Sequence, residues 1–264
     1  MADERELRSA SCEPVSVFNK DGESPYFFVC EHASTFIPET FDGLGLNADA
    51  LRAHIAWDPG AVEVARHLAT SLNAPLVESQ LSRLLIDCNR PLDAHDLIPE
   101  ISETTVVPGN HALNSMERLA RIDLSHRPFH TAVEHVIAER AQSGLQSWIV
   151  TIHSFTPIYR DVPRPWQIGI IHDEDDRIGK PLVAALRKDL NLNVGVNEPY
   201  SPADRVYYTL ERHARPRNAP CVMIELRNNE IADGPAQADW AEKLATILKD
   251  IAKAIGPHNT EQKA

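Results

Sequence analysis

Three short apolar runs in the chain each end abruptly on a polar residue able to do chemistry. They are Tyr26-Phe-Phe-Val-Cys-Glu-His32, Trp148-Ile-Val-Thr-Ile-His153 and Cys221-Val-Met-Ile-Glu225. An unbroken apolar run of this length reads as a strand buried on both faces. Lying side by side, such strands bring their ends to one edge of a sheet. The pattern therefore predicts that His32, His153 and Glu225 meet there.

Further strands are predicted over 76–77, 83–88 and 167–172, with a short strand and turn over 194–200. A helix is expected after Asp58-Pro59, with Asp58 near the N-cap and Val62, Ala65, Leu68 and Leu72 as its apolar stripe. A second helical pattern covers 116–140 and is interrupted by Pro128. A third covers 180–190, with Leu182, Val183, Leu186 and Leu190 apolar, and a short one covers 203–213. The last presents Trp240, Leu244, Ile247, Leu248, Ile251 and Ile255 on one face and stops at Gly256-Pro257. Loops over 35–47, 91–114 and 154–166 separate these elements, and loops this long are usually functional or mobile. Strands alternating with helices predict a single α/β domain over 15–257, built on a mixed, mostly parallel sheet flanked by helices. Residues 1–14 and 258–264 are expected to be flexible ends.

Composition narrows the function classes. Acidic residues outnumber basic ones 38 to 26, a formal charge of −12, which argues against nucleic acid or an anionic membrane as partner. No apolar run approaches the ~20 residues of a membrane span, and the charged first residues lack a signal core. A cytoplasmic protein is expected. Of Cys12, Cys30, Cys88 and Cys221, the last three lie in apolar runs, so buried free thiols are expected rather than disulfides.

With 12 histidines in the chain, a single one carries little weight. His32 and His153 stand out because each ends an apolar strand. Neutral imidazoles from separate strands suit zinc, which takes nitrogen and oxygen ligands and leaves one position for water when catalytic. A third ligand would be a carboxylate, with Glu31, Asp58 and Asp87 as candidates; a simple helix cap is the bland alternative for Asp58. Glu225 is costly to bury inside an apolar strand unless paired or functional. Beside a metal it would serve as general base and then proton donor, and an ion pair with Arg83 or Arg227 is the alternative. Asn89-Arg90 offers a clamp for a substrate carboxylate, and Arg83 could polarise a carbonyl oxygen, against surface salt bridges for both arginines. Ser154 follows its histidine directly, with no G-x-S-x-G elbow, so a serine hydrolase is set aside.

Taken in order, these residues resemble the N-formylglutamate amidohydrolase family. The ordered set is Glu31-His-Ala-Ser34, Trp57-Asp58, Ser82-Arg-Leu…Asp87-Cys-Asn-Arg90, Arg127-Pro-Phe-His130, Ile152-His-Ser-Phe155, Asn197-Glu-Pro-Tyr-Ser201 and Ile224-Glu-Leu-Arg-Asn-Asn-Glu-Ile231. It spans about 28–231. That family in turn looks like the zinc carboxypeptidase and aspartoacylase fold. The resemblance implies one zinc ion held by His32, His153 and a carboxylate, with Glu225 as acid-base and Asn89-Arg90 gripping a substrate carboxylate. Carboxypeptidases place the ligand glutamate three positions after the first histidine, where this chain has Thr35, so Asp58 is favoured as the third ligand. The implied activity is hydrolysis of a small carboxylated N-acyl amino acid such as N-formyl-L-glutamate to formate and the amino acid. A zinc carboxypeptidase or amidase acting on peptide or cell-wall amides, and a carboxylate-binding protein without turnover, are the alternatives.

Overall fold

A computed structural model of the protein describes residues 13–256. Cys12, residues 1–12 of the expected N-terminal end, and the whole C-terminal end lie outside the described residues. Seven strands form one sheet: β1 (Val15–Phe18), β2 (Tyr26–Cys30), β3 (Leu76–Ser79), β4 (Trp148–Phe155), β5 (Ile168–Ile171), β6 (Val194–Val196) and β7 (Cys221–Arg227). Their spatial order is β1-β3-β2-β4-β7-β5-β6. The central strands β3, β2, β4 and β7 run parallel, while β5 lies antiparallel to β7 and β1 antiparallel to β3. The carboxyl ends of β2, β4 and β7 therefore meet at one edge. In open α/β sheets that edge is where ligands bind.

The helices are α1 (Ala48–Arg52), α2 (Ala61–Leu72), α3 (Ser115–Arg121), α4 (Arg127–Gln142), α5 (Gly179–Leu186), α6 (Tyr208–His213) and α7 (Gly234–Ile255). Side chains alternate across a strand, and here both faces are covered. Tyr26, Phe28, Val222 and Ile224 pack with Leu68 of α2, Leu182 of α5 and Leu244 of α7. Phe27, Val29, Cys221 and Met223 pack on the other face with Phe129 and Val133 of α4 and Leu210 of α6. This two-sided burial is why the strands read as continuous apolar runs. A third cluster, including Leu44, Ile55, Leu81, Leu84 and Leu85, is built from segments outside the sheet. Cys30, Cys88 and Cys221 are buried free thiols, as the sequence predicts. No helix among the described residues is long and apolar enough to cross a membrane.

Four expectations need correction. Residues 83–88 do not form a strand. The Ser82 hydroxyl donates to Ala56 O and accepts from Leu84 N, and Leu85 N bonds back to Ser82 O, so the apolar run is wound into turns. The third helix stops at Leu186, and Leu190 is 94% exposed, in a turn where the Asp189 carboxylate accepts from Asn191 N. The 203–213 span splits because Arg205 adopts a left-handed φ of 60°, and only Tyr208–His213 is α-helical. The 116–140 pattern likewise divides: α3 passes through a π turn, Ile122–His126, into α4, with Pro128 in the first turn of α4. β1 has no counterpart in the sequence reading because it is a half-exposed edge strand with little apolar contrast.

Candidate active site

His32 leaves the end of β2, and His153 and Glu225 stand opposite one another in the register of β4 and β7. Asp58 arrives from the turn ahead of α2. That turn is held by Asp58 N donating to His32 O at 2.9 Å. It is pinched by Gly60, whose φ is 79° and where a Cβ would lie 2.5 Å from Ile231 O. Gly60 takes the N-cap position of α2, which frees the Asp58 side chain to face the histidines.

The contacts are tight. His32 Nδ1 and His153 Nδ1 lie 3.2 and 2.9 Å from the same oxygen, Asp58 Oδ2. Ser154 N also donates to that oxygen at 3.4 Å, and the Ser154 hydroxyl donates to Pro59 O at 2.9 Å, so this serine orients the Asp58 turn. One ligand atom from each of His32, Asp58 and His153 falls within 4.8 Å of the others, a group able to hold a metal ion. Each ring is backed by a carboxylate on its far nitrogen. His32 Nε2 is 2.7 Å from Asp87 Oδ1, and His153 Nε2 is 3.3 Å from Glu31 Oε2, an ion-pair contact without hydrogen-bond geometry. Metal-ligating histidines characteristically have such outer partners, which fix tautomer and ring orientation. Nitrogen and oxygen donors, three in number, fit zinc with a fourth position left over.

Burial works to raise the Asp58 carboxyl, but the two histidines hold it far below the ordinary carboxylate range. Burial would lower His153, and the Glu31 and Asp58 carboxylates instead hold it well above its usual value. For Glu225 burial wins: its carboxyl is pushed up to about 7, with His153 pulling down and Asp58 pushing up. Glu225 Oε2 is buried with no hydrogen-bond partner. The ion-pair alternative fails, since Arg227 binds Glu230 and Arg83 binds Asp58 and Asp87.

Asp87 is a hub. It accepts from Arg83 Nη2 at 2.7 Å and from Asn89 N at 2.8 Å as well as contacting His32. Arg90 Nε donates to Asp96 at 2.7 Å, and Arg90 and Glu225 both line the pocket. The Asn89 carboxamide spans to Val206 O and Thr209 N, with one amide hydrogen unclaimed among the described residues. Two histidines without a role in the sequence reading support this segment from the π turn and α4. His126 Nε2 and His130 Nε2 donate to Arg90 O and Cys88 O, each at 2.9 Å. His130 Nδ1 then accepts from His213 Nε2. Tyr159, Arg160 and Tyr200 complete a cavity of about 360 Å³. Tyr200 is carried in where Glu198 O crosses β5 so closely that a Cβ on Gly169 would sit 2.1 Å from it. The signal for His130 and Tyr200 was their place in the ordered motif set; nothing local marked Arg160.

The fold and the site can be set beside known proteins. A scan of protein families matches residues 24–232 to N-formylglutamate amidohydrolase. A comparison with curated proteins yields no match. Among solved structures, a gene product of Agrobacterium tumefaciens is similar at 42% identity and a TM-score of 0.89, covering 92% of this chain and 96% of its own. The N-formylglutamate amidohydrolase of Ralstonia eutropha shares the fold, with a TM-score of 0.66 at 19% identity, covering 92% of this chain and 98% of its own. With four fifths of its length accounted for in this way, the chain belongs to the N-formylglutamate amidohydrolase family.

Proposed function

We propose that the protein is a zinc-dependent amidohydrolase cleaving N-formyl-L-glutamate or a close N-acyl amino acid to the carboxylate and the free amino acid. One observation carries this reading: two buried imidazoles from separate strands converge on a single Asp58 oxygen, each backed by a carboxylate, beside a Glu225 oxygen with no partner. His32, His153 and Asp58 would hold the metal, which when bound supplies a Lewis acid for the acyl carbonyl and a lowered pKa for water.

The chain's own groups do the rest. Glu225, titrating near neutrality, takes the proton from the attacking water and returns it to the amine as the carbon–nitrogen bond breaks. Arg83, held charged by Asp87 and Asp58 against the cost of its burial, faces the same pocket and stabilises the oxyanion that forms at the carbonyl. Arg90 grips the α-carboxylate, and Asn89 sets the segment with its carboxamide and offers its spare hydrogen to the same group. The cavity of about 360 Å³ suits a small amino-acid derivative and favours this reading over a peptide.

The test is metal analysis with turnover. The purified protein is expected to hold about one zinc ion per chain, lost in His32→Ala and in Asp58→Ala. Glu225→Gln is expected to keep fold and metal but lose at least about 100-fold in kcat. Near-normal turnover in that variant would exclude Glu225 as the acid-base. A zinc-loaded protein inert toward N-formyl amino acids would overturn the assigned activity.

A further inference from the structure

The stretch after His153 that the sequence leaves as a loop folds into a hairpin over the pocket. Ile158 pairs with Pro163 and Tyr159 with Val162. The two residues at its tip, Arg160 and Asp161, both have left-handed φ values, 48° and 63°. A two-residue turn of this hand is normally filled by Asn-Gly or Gly-Gly, which adopt it at little cost. Backbone strain kept at the rim of a site points to a functional demand on it. Its effect here is to bring Arg160 into the pocket lining with Tyr159, Tyr200, Arg90 and Glu225.

Charge pairing around the pocket singles out the same wall. Arg83 is bound to Asp58 and Asp87, and Arg90 to Asp96. Arg160 has no carboxylate partner among the described residues; its guanidinium lies 5.3 Å over the Tyr159 ring. Arg164, behind the wall, is buried and also without a carboxylate partner among the described residues. It stacks 4.5 Å from the Tyr159 ring and 4.8 Å from the Tyr200 ring. One wall of the pocket thus carries two cations that no carboxylate among the described residues pairs with: Arg160, exposed at the rim, and Arg164, whose burial without an anion is costly. An anionic ligand in the cavity would balance them.

We propose that the 158–163 hairpin is the element that selects the substrate's side chain, with Arg160 contacting a side-chain carboxylate and Arg164 supplying further positive charge through the tyrosine wall. This rests on the amidohydrolase reading, in which Arg90 is committed to the α-carboxylate. The side-chain carboxylate of the dicarboxylic substrate already proposed is thereby given a partner in this chain. The preference for it is also assigned to a strained, exposed turn that can be changed without touching the metal ligands.

The experiment compares an acidic ligand with its uncharged isostere. Turnover of N-formyl-L-glutamate and N-formyl-L-glutamine is measured for the wild type, Arg160→Ala and Arg160→Lys. Binding of L-glutamate and L-glutamine to the same proteins is measured by calorimetry, independently of turnover. A charge-assisted contact of this kind predicts a wild-type preference for the acidic member of about 10–100-fold. That preference should fall below about 3-fold in Arg160→Ala, mostly through KM, and return in part in Arg160→Lys, while values for the isostere hold steady. A wild type with no preference overturns the proposal. So does a preference that survives Arg160→Ala, or an equal loss on both ligands, which would make the hairpin a mere cover. Binding preference abolished by Arg160→Ala without turnover of either formyl compound would refute the amidohydrolase reading and leave the hairpin assignment standing.

Discussion

Asp87→Asn is the sharpest probe of the His32 side of the site. The Asp87 carboxylate receives His32 Nε2 at 2.7 Å, Arg83 Nη2 at 2.7 Å and Asn89 N at 2.8 Å. Burial alone would raise it, yet Arg83, His32 and Arg90 hold it well below the usual carboxylate range. Asparagine keeps the shape but has one acceptor oxygen, so its amide must face Arg83 or His32 donor to donor. Losing one charge-assisted bond costs about 1.5–3 kcal/mol, which for a chain of this length lowers Tm by about 3–12 °C. Weakening the partner of a ligand histidine typically costs 10–100-fold in metal affinity, about 1.4–2.7 kcal/mol. Zinc affinity is read by competition with a chromophoric chelator, and melting is followed with and without zinc. The exposed Asp93→Asn serves as control, because Asp93 is paired with the surface Arg205. Zinc affinity in Asp87→Asn within threefold of the wild type would refute the reasoning, since His32 would then not depend on its carboxylate.

Three further outcomes are expected. Arg140 is buried without a carboxylate partner among the described residues and donates to the carbonyls of Gly22, Ser24 and Gln146; Arg140→Met should strand them and cost about 3 kcal/mol, seen as a lower urea midpoint with activity per folded molecule unchanged. Gly169→Ala should push Glu198 O away from β5, destabilise by about 1–3 kcal/mol and raise KM by displacing Tyr200, whereas Gly144→Ala, where a Cβ would meet nothing within 4 Å, should leave KM alone. Burial lowers the pKa values of His126 and His130 in the fold, with neighbouring cations adding to it. The unfolded rings, with pKa ~6.5, then bind more protons than the folded ones. Their contribution to stability is therefore full above pH ~6.5 and declines as pH falls below it, by at most about 1.4 kcal/mol per pH unit for each ring. Because His153 and Glu225 are shifted upward and act in the opposite direction, the contribution is read as a difference: in denaturant titrations between pH 7.5 and 5, acidification should cost the wild type more stability than it costs His130→Gln.

The parts of the site that the sequence disclosed share a physical cause. β2, β4 and β7 are buried on both faces, so their pattern is an unbroken apolar run, and the first polar residue marks where the sheet ends. Residues 83–88 misled for the same reason: burial in a turn-built cluster leaves the same apolar trace as burial in a strand. Asp58 reads locally as a helix cap because its real partners, His32 and His153, lie 26 and 95 residues away. His126 and His130 meet carbonyls 36 and 42 residues distant, and no periodicity in the helix records that. The hairpin at 158–163 was illegible because Arg-Asp at its tip lacks the glycine that usually marks a two-residue hairpin turn.

The π turn between α3 and α4 has a consequence for how this chain can vary. Such a turn is a helix with one residue to spare. Were the same residues wound throughout as a regular α-helix, everything ahead of the turn would swing by about 100° relative to His126 and His130. Arg121, buried and bound to Leu85 O, Gly109 O and Asn110 Oδ1, would lose its seat while the histidines kept theirs. The spare residue therefore acts as a coupling between two fixed docks, one on the loops and one under the Asn89–Arg90 segment. Across related chains, loss of the spare residue should be tolerated by closing the turn to a regular helix, whereas a one-residue change elsewhere between Arg121 and His130 should not.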